Sequence, residues 1–202
     1  NPEQFDELCR RFERMASVAK TISCPTLVVS ASVRPRGADA LAIAQETDSA
    51  LGKLLDITES ADVGLSLAFR GFQWCAVNSL EAACDAVAAH KGRRIGLALD
   101  TFDLHATGVQ PERLKSIDRS ILSVMRMSDC TDVSHAILSE TDRVLPGEGV
   151  ARIDAMLEAV YGAGFSGPIS LKILSPALWS LKAEEIAKIV MAVASKYFPG
   201  AS

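Results

Sequence analysis

The chain has 202 residues, of which 49% are hydrophobic and 23% are charged, and its formal net charge at pH 7 is −4. This length allows one substantial hydrophobic core and is short for two. The longest apolar runs have strand length, which excludes a membrane span, and no basic stripe interleaves with aromatic residues, which argues against a nucleic-acid partner.

Helices and strands alternate along the chain. Apolar residues spaced three or four apart predict helices, and short, continuously apolar runs predict strands. In chain order the predicted elements are a helix 3–20, a strand 26–30, a loop 34–37, a helix 38–57, a strand 63–69, a helix 79–89 capped by Ser79 and ended at 90–92, a strand 94–99, a helix 112–118 after Pro111, a strand 121–127, a loop 129–149, a helix 151–163, a strand 168–173 and a helix 183–197 ended by Pro199 and Gly200.

The five predicted strands are mostly apolar throughout instead of alternating. Such strands are buried on both faces, as in a parallel sheet covered by helices. The sequence therefore predicts an α/β fold with five adjacent parallel strands in chain order.

The five cysteines are scattered, with no Cys-x-x-Cys pair; they are Cys9, Cys24, Cys75, Cys84 and Cys130. This usage is typical of reduced, mostly buried thiols. Because the sequence also shows no signal-peptide pattern, we expect a cytoplasmic protein.

Two segments carry a specific resemblance. LDTFD at 99–103 ends an apolar strand, and DRVLPGEGV at 142–150 is followed by AGFSGPISL at 163–171. They resemble the "LDTFH…G" and "R-x-x-PGEG … GYdGPvSvE" segments of the xylose isomerase-like TIM-barrel superfamily, which contains sugar isomerases, epimerases and inosose dehydratases. The resemblance runs from about residue 5 to 198.

The resemblance implies a (β/α) TIM barrel, which needs eight strands. The chain would hold the C-terminal five β/α units, so we expect 1–202 to form a single domain that lacks roughly the first three strands. Three explanations stay open: a fragment, an N-terminal part that is lost or is a separate chain, or a partial barrel that oligomerises. Two exposed apolar sheet edges would favour aggregation, which favours the fragment.

The resemblance also implies a divalent metal (Mn, Mg, Co or Zn) held by a Glu, an Asp, a His and a final Glu at four strand ends. The matching positions hold Ala68, Asp100, Arg126 and Lys172, and the family's substrate-side histidine is Asp103. The formal charge of the family's site, with two Glu, one Asp and a divalent ion, is −1, whereas the formal charge of the residues present is +1. We therefore expect no metal cofactor, with Asp100 paired to both cations in one pocket and closer to Arg126.

The candidate catalytic residues are Asp100, Asp103 and Lys172, and the candidate ligand-binding residues are Arg126, Arg143, Glu148, Trp74 and His105. Several have a structural alternative. Arg143 matches a substrate-side arginine of the family or forms a loop salt bridge with Asp142 or Glu148. Trp74 lines a sugar-binding wall or packs in the core. His105 is a relocated ligand or acid/base group, or a solvated loop residue.

The resemblance implies a sugar phosphate isomerase/epimerase-like protein that acts on a polyhydroxylated ketone by proton transfer, or a related dehydratase, with a degenerate metal site. A second hypothesis is a non-catalytic protein or subunit that binds a small anion such as a sugar phosphate. A third is a metal-free enzyme that uses Lys172, as a Schiff base, or Asp100 and Asp103. The expected partners are a sugar or polyol, and a second copy or the missing N-terminal segment.

Overall fold

The computed structural model describes residues 2–198, and the predicted helix stop at Pro199 and Gly200 lies outside the described residues. The strands of the described part are β1 (Thr26–Ser30), β2 (Gly64–Ala68), β3 (Ile95–Asp100), β4 (Leu122–Met127), β5 (Asp129–Cys130), β6 (Arg143–Val144) and β7 (Ile169–Leu171). Five of them form one parallel sheet in the order β1-β2-β3-β4-β7. The predicted fold, with five adjacent parallel strands in chain order, is confirmed.

The helices connect these strands. They are α1 (Pro2–Thr21), α2 (Ala40–Ser60), α3 (Leu80–Ala88), α4 (Thr101–Ala106), α5 (Pro111–Leu114), α6 (Ile153–Gly162), α7 (Pro176–Trp179) and α8 (Ala183–Tyr197), with 3-10 turns at Arg119–Ile121 and Glu140–Asp142. The predicted cap of α3 is present, because the Ser79 hydroxyl accepts a hydrogen bond of 3.1 Å from the Ala82 amide. None of the helices in 2–198 is long and apolar enough to cross a membrane.

The two faces of the sheet differ in residue size. Large apolar side chains of the central strands, such as Leu65, Leu97 and Met125, pack with the buried leucines of α2 and α3 in the main core. The opposite face carries small residues, including Ala68 and Ala98. This small-residue face leaves room above the sheet for polar side chains at the strand ends.

Four elements depart from the prediction, and one of them is the short helix α7, which was not predicted. A helix, α4, begins directly after β3, because the Asp100 carboxylate caps it by accepting from the Phe102 amide at 3.1 Å. The helix expected at 112–118 is only α5, because Asp118 instead caps the following 3-10 turn. The expected loop 129–149 contains the antiparallel pair β5–β6, which places Cys130 opposite Arg143.

The outer edges of β1 and β7 pair with no other strand of the described part. Apolar side chains near these edges are exposed, among them Ile22, Val28, Trp179 and Met191. The helix at one edge, α8, has an apolar stripe but no fully buried residue. The sheet is therefore an open sector of a barrel, covered well in its centre and poorly at both sides.

All five cysteines are free thiols. Cys75 and Cys130 are buried, whereas Cys9, Cys24 and Cys84 are half-buried. The expectation of mostly buried thiols therefore holds only in part.

Candidate functional site

The carboxyl ends of the parallel strands carry the predicted site. Asp100 ends β3 and is the register partner of Arg126 on β4. Lys172 follows β7, and its backbone amide donates to the Met127 carbonyl at 2.9 Å. Ala68, at the end of β2, is completely buried. In β/α folds this end of the sheet is where ligands bind.

The structure brings Asp100, Arg126 and Lys172 together, as the sequence predicts. The Asp100 Oδ2 atom lies 3.5 Å from Lys172 Nζ and 3.7 Å from Arg126 Nε. The prediction that Arg126 would be the closer cation is therefore wrong. The flexible lysine side chain reaches across β4, whereas Arg126 contacts Asp100 only through Nε, the guanidinium nitrogen nearest its own backbone.

Arg143 is the central cation and is fully buried, with 0% side-chain exposure. It donates to Asp100 Oδ1 at 2.8 Å, to Ser128 Oγ at 2.6 Å, to Glu140 Oε2 at 3.1 Å and to Asp103 Oδ2 at 3.4 Å. Its guanidinium also lies 4.1 Å from the centre of the Phe102 ring. The alternative of a loop salt bridge with Asp142 or Glu148 is wrong. Arg143 instead holds Asp100, Glu140 and Asp103 together from a fully buried position.

Glu140 was missed by the sequence analysis. Its carboxylate contacts three cations: Arg70, Arg143, and Lys172 at 3.4 Å. No family motif singles it out, and it stands in a polar loop 40 residues after Asp100 along the chain. One signal could have found it. Two cations facing a single buried carboxylate need further acidic partners.

Seven side chains form what we call the charge cluster: Arg70, Asp100, Asp103, Arg126, Glu140, Arg143 and Lys172. With all groups ionised, four cations and three carboxylates give the cluster a charge of +1. The cluster has two layers. Arg143, Asp100 and Asp103 are sealed, whereas the other four side chains are 15–26% exposed.

Asp103 is the one carboxylate with a raised pKa. Burial and the negative charge of Asp100 raise the pKa of Asp103 to about 6, against the lowering effect of Arg143. The carboxylate accepts from the Gly71 amide at 2.8 Å and lies 3.6 Å from Arg70 Nε. Through these two contacts the buried Asp103 carboxylate holds the Arg70–Gly71 segment in place.

The other carboxylates of the cluster stay ionised. Burial raises the pKa of Asp100, but the charges of Arg143, Lys172 and Arg126 outweigh it and leave the pKa below its usual value. The pKa of Glu140 is lowered in the same way, mainly by Arg143 acting against burial. Burial lowers the pKa of Lys172, although Asp100 counteracts this effect.

Several atoms of the cluster are buried without a hydrogen-bond partner among the described residues. They are the acceptor Asp100 Oδ2 and the donors Arg126 Nε, Arg126 Nη2 and Arg70 Nε. An unsatisfied buried polar group costs about 1–3 kcal/mol, and such groups in native proteins call for water, an ion or a ligand. Hydrogen-bond donors and an acceptor without hydrogen-bond partners thus lie together in the charge cluster, and we call these atoms open.

The remaining predicted residues lie outside the charge cluster. Trp74 is 55% exposed and stacks on Phe72 at 5.2 Å, so it does not pack in the core, and its place in a sugar-binding wall stays a prediction. His105 is half-buried in α4 and packs edge-on against His135 at 5.0 Å, so it is not a loop residue. Burial and His135 lower the pKa of His105. Glu148 is exposed, and none of the described ion pairs includes it.

The PGEG turn has a structural anchor. The buried Asp129 carboxylate accepts from the amides of Cys130, Gly147 and Ala151 at 2.8–2.9 Å. A Cβ at Gly149 would collide with the Cys130 backbone. The motif therefore fixes the loop that positions Arg143.

A parallel β/α sheet with a charged site at the carboxyl ends of its strands is typical of β/α-barrel proteins. A profile of the xylose isomerase-like TIM barrel family matches residues 1–196, and the chain belongs to this family. It is 32% identical to the inosose isomerase of Bacillus velezensis over 198 residues, which cover 96% of this chain and 71% of that protein. The inosose isomerase of Bacillus subtilis is also 32% identical, over 197 residues.

Solved structures agree with this family assignment. A crystal structure of the IOLI protein with a bound zinc atom superimposes with a TM-score of 0.90 at 31% identity, covering 98% of this chain and 73% of that one. A 3-keto-D-glucoside 4-epimerase from E. coli has the same fold, with a TM-score of 0.71 at 13% identity. The chain is thus a member of a sugar isomerase family and spans about 70% of its inosose isomerase relatives.

The side chains at the four positions that the resemblance matches to the family's metal ligands do not fit a divalent cation. Ala68 offers no donor atom, and Arg126 and Lys172 place positive charge beside the single carboxylate of Asp100. Across residues 2–198, no group of three or more His, Cys, Asp or Glu side chains is arranged to hold a metal ion. Oxygen and imidazole ligands, which such ions require, are missing from three of the four positions.

Proposed function

We propose that the chain is a sugar isomerase/epimerase-like protein that binds a polyhydroxylated ketone at the charge cluster and acts on it by proton transfer, with a degenerate metal site. The observation that carries the proposal is the open Asp100 Oδ2 atom, which is buried beside Lys172 Nζ and the unpartnered donors of Arg126. A buried acceptor next to buried donors fits a ligand that presents a hydroxyl and a carbonyl on neighbouring carbons.

The atoms match an α-hydroxyketone. Its hydroxyl would donate to Asp100 Oδ2, and its carbonyl oxygen would accept from Lys172 Nζ, which lies 3.5 Å from that carboxylate oxygen. Arg126 adds a second positive charge on the same side. The two fixed cations then occupy the role that a divalent ion has in the family, that of polarising the carbonyl.

The chemistry is a proton transfer without a change in oxidation state. Asp100 takes the proton from the hydroxyl-bearing carbon, and the electron pair of that C–H bond forms the double bond of an enediolate. The negative charge develops on the carbonyl oxygen, where Lys172 and Arg126 stabilise it. For the isomer, the hydroxyl proton moves to the former carbonyl oxygen and Asp100 returns its proton to the other carbon, so that the carbonyl group shifts by one carbon. For the epimer, water delivers a proton to the opposite face of the same carbon, and Asp100 releases its own proton to solvent.

Proton exchange tests this proposal directly. Protein treated with a chelator is incubated with inosose in D2O, and deuterium next to the carbonyl is followed by NMR. We expect exchange to persist without metal and to fall by about 100-fold or more in Asp100→Asn and Arg126→Gln. Arg94→Gln is the matched control, because Arg94 pairs with Asp62 at the opposite end of β3.

Other outcomes identify the alternatives. Exchange that disappears with chelation and returns with Zn²⁺ or Mn²⁺ would contradict the metal-free mechanism. Inosose binding without exchange would favour the non-catalytic binding protein. Covalent trapping of inosose by borohydride, lost in Lys172→Met, would favour a Schiff base, although Lys172 here is an ion-pair partner of Asp100 and Glu140.

We also propose that 1–202 belong to a single barrel domain whose remaining strands lie outside this sequence. The unpaired edges of β1 and β7 and the exposed apolar side chains beside them support this. Sedimentation velocity should show self-association of the chain alone through these edges. A strictly monomeric chain that binds no hydrophobic dye would contradict it.

A further inference from the structure

We infer that the ligand of the charge cluster carries one negative charge, as a carboxylate attached to the polyhydroxylated ketone. This inference rests on the proposed function, because it names the class of ligand at the same site. Its evidence is separate: the count of open donors and the arrangement of charge between the two layers.

The open hydrogen-bonding atoms are unbalanced. One acceptor, Asp100 Oδ2, stands against three donors without a hydrogen-bond partner, which are Nε and Nη2 of Arg126 and Nε of Arg70. Arg126 Nε and Arg70 Nε lie 3.7 Å from Asp100 Oδ2 and 3.6 Å from Asp103 Oδ1, so Arg126 Nη2 is the donor of this set without a carboxylate beside it. A neutral hydroxyketone uses the acceptor through its hydroxyl and takes Lys172 through its carbonyl. Arg126 Nη2 would then stay unsatisfied, at a cost of about 1–3 kcal/mol. A ligand with additional acceptor oxygens removes that cost.

The partly exposed layer of the cluster carries a net positive charge. The sealed layer of Arg143, Asp100 and Asp103 sums to −1, and the exposed layer of Arg70, Arg126, Lys172 and Glu140 sums to +2. The total of +1 is balanced by one carboxylate. The charge of a phosphate dianion would exceed +1, and the dianion would also be repelled by the Glu140 carboxylate, which already pairs with three of the cations.

The shape of the open donors also favours a carboxylate. Nε and one Nη of a guanidinium lie on the same edge of a planar group, and two parallel N–H bonds on that edge match the two oxygens of a carboxylate. Both nitrogens are open on Arg126, whose side chain is partly exposed. Arg143 already binds Glu140 in this way, with Nε donating to Oε2 at 3.1 Å and Nη2 donating to Oε1 at 3.3 Å.

A matched set of ligands tests the inference by isothermal titration of the full chain. D-fructose, D-fructuronate and D-fructose 6-phosphate share one carbon skeleton and differ at C6 by a hydroxyl, a carboxylate or a phosphate. We expect D-fructuronate to bind about tenfold or more tightly than the other two, because charge-assisted bonds are stronger than neutral ones. Arg126→Gln should remove the preference, and Arg94→Gln should leave it unchanged.

The outcomes separate the two proposals. Equal affinity for all three ketoses, unaffected by Arg126→Gln, would overturn the carboxylate inference and leave ketose binding standing. Tightest binding of D-fructose 6-phosphate would also overturn it, in favour of a phosphate. Acetate binding as tightly as D-fructuronate would support a carboxylate subsite but contradict the proposed ketose function. Absence of binding by all four ligands would overturn both.

Discussion

Replacing Arg143 with methionine should strongly destabilise the protein. The substitution keeps much of the volume but removes the only fully buried cation of the charge cluster. Asp100 and Asp103, one of them completely buried and the other nearly so, would lose the cation that they share. Leaving buried carboxylates without their partner costs about 3–5 kcal/mol.

This cost is large against the total stability of a domain, which is about 5–15 kcal/mol. In a chain of this size it corresponds to a fall in Tm of about 10 °C. Urea unfolding of wild type and variant, followed by circular dichroism, measures the difference in free energy of unfolding.

Arg113→Gln is the matched control. Arg113 pairs with Glu81 at 3.3 Å, but both side chains are well exposed. Its loss should cost less than about 1 kcal/mol. A loss of similar size for both variants, or a loss below about 1 kcal/mol for Arg143→Met, would refute the reasoning that the buried pairing holds the strand ends together. Adding Asp100→Asn to Arg143→Met should recover part of the stability, because it removes one stranded charge.

Three further predictions concern the same region. Because the pKa of Asp103 is raised to about 6 from 3.8, the native state binds this proton more tightly, so wild-type stability relative to Asp103→Asn should rise by up to about 3 kcal/mol as the pH falls through this window, measured by urea unfolding. Gly149→Ala should lower Tm through collision with the β5 backbone, at a cost of about 1–3 kcal/mol. Ala68→Glu, Arg126→His and Lys172→Glu together should create Zn²⁺ binding by titration, whereas each alone should not.

The sequence predicted the fold well for a physical reason. Parallel strands buried on both faces read as short apolar runs, and each of the five predicted strands was found within one or two residues of its predicted bounds. The convergence of Asp100, Arg126 and Lys172 was also predictable, since neighbouring strand ends meet at one edge of the sheet. These features depend on the periodicity of apolar residues and on the order of the strands, and both can be inferred from the sequence.

The rest of the site depends on contacts that no periodicity encodes. Arg70 and Glu140 are 70 residues apart, and they meet only because the β5–β6 pair folds the long loop back over the strand ends. The order of distances around Asp100 depends on side-chain length and rotamer, so a count of strands gave the wrong order for Arg126 and Lys172. The burial of Arg143 likewise follows from tertiary packing and not from its motif.

The agreement between strand order and chain order has a consequence for local opening. Each strand of the sheet pairs with the strand of the preceding or the following β/α unit. The edge strands can therefore separate from the sheet without disturbing the strands at its centre. β7 is an edge strand that pairs with β4 over three register positions, whereas β2, β3 and β4 lie between neighbours on both sides. Amide hydrogens of β7 should therefore exchange with solvent first and those of the three inner strands last. Lys172, which follows β7, would then move with the least protected strand, and access to the strand ends would open and close on the timescale of that exchange.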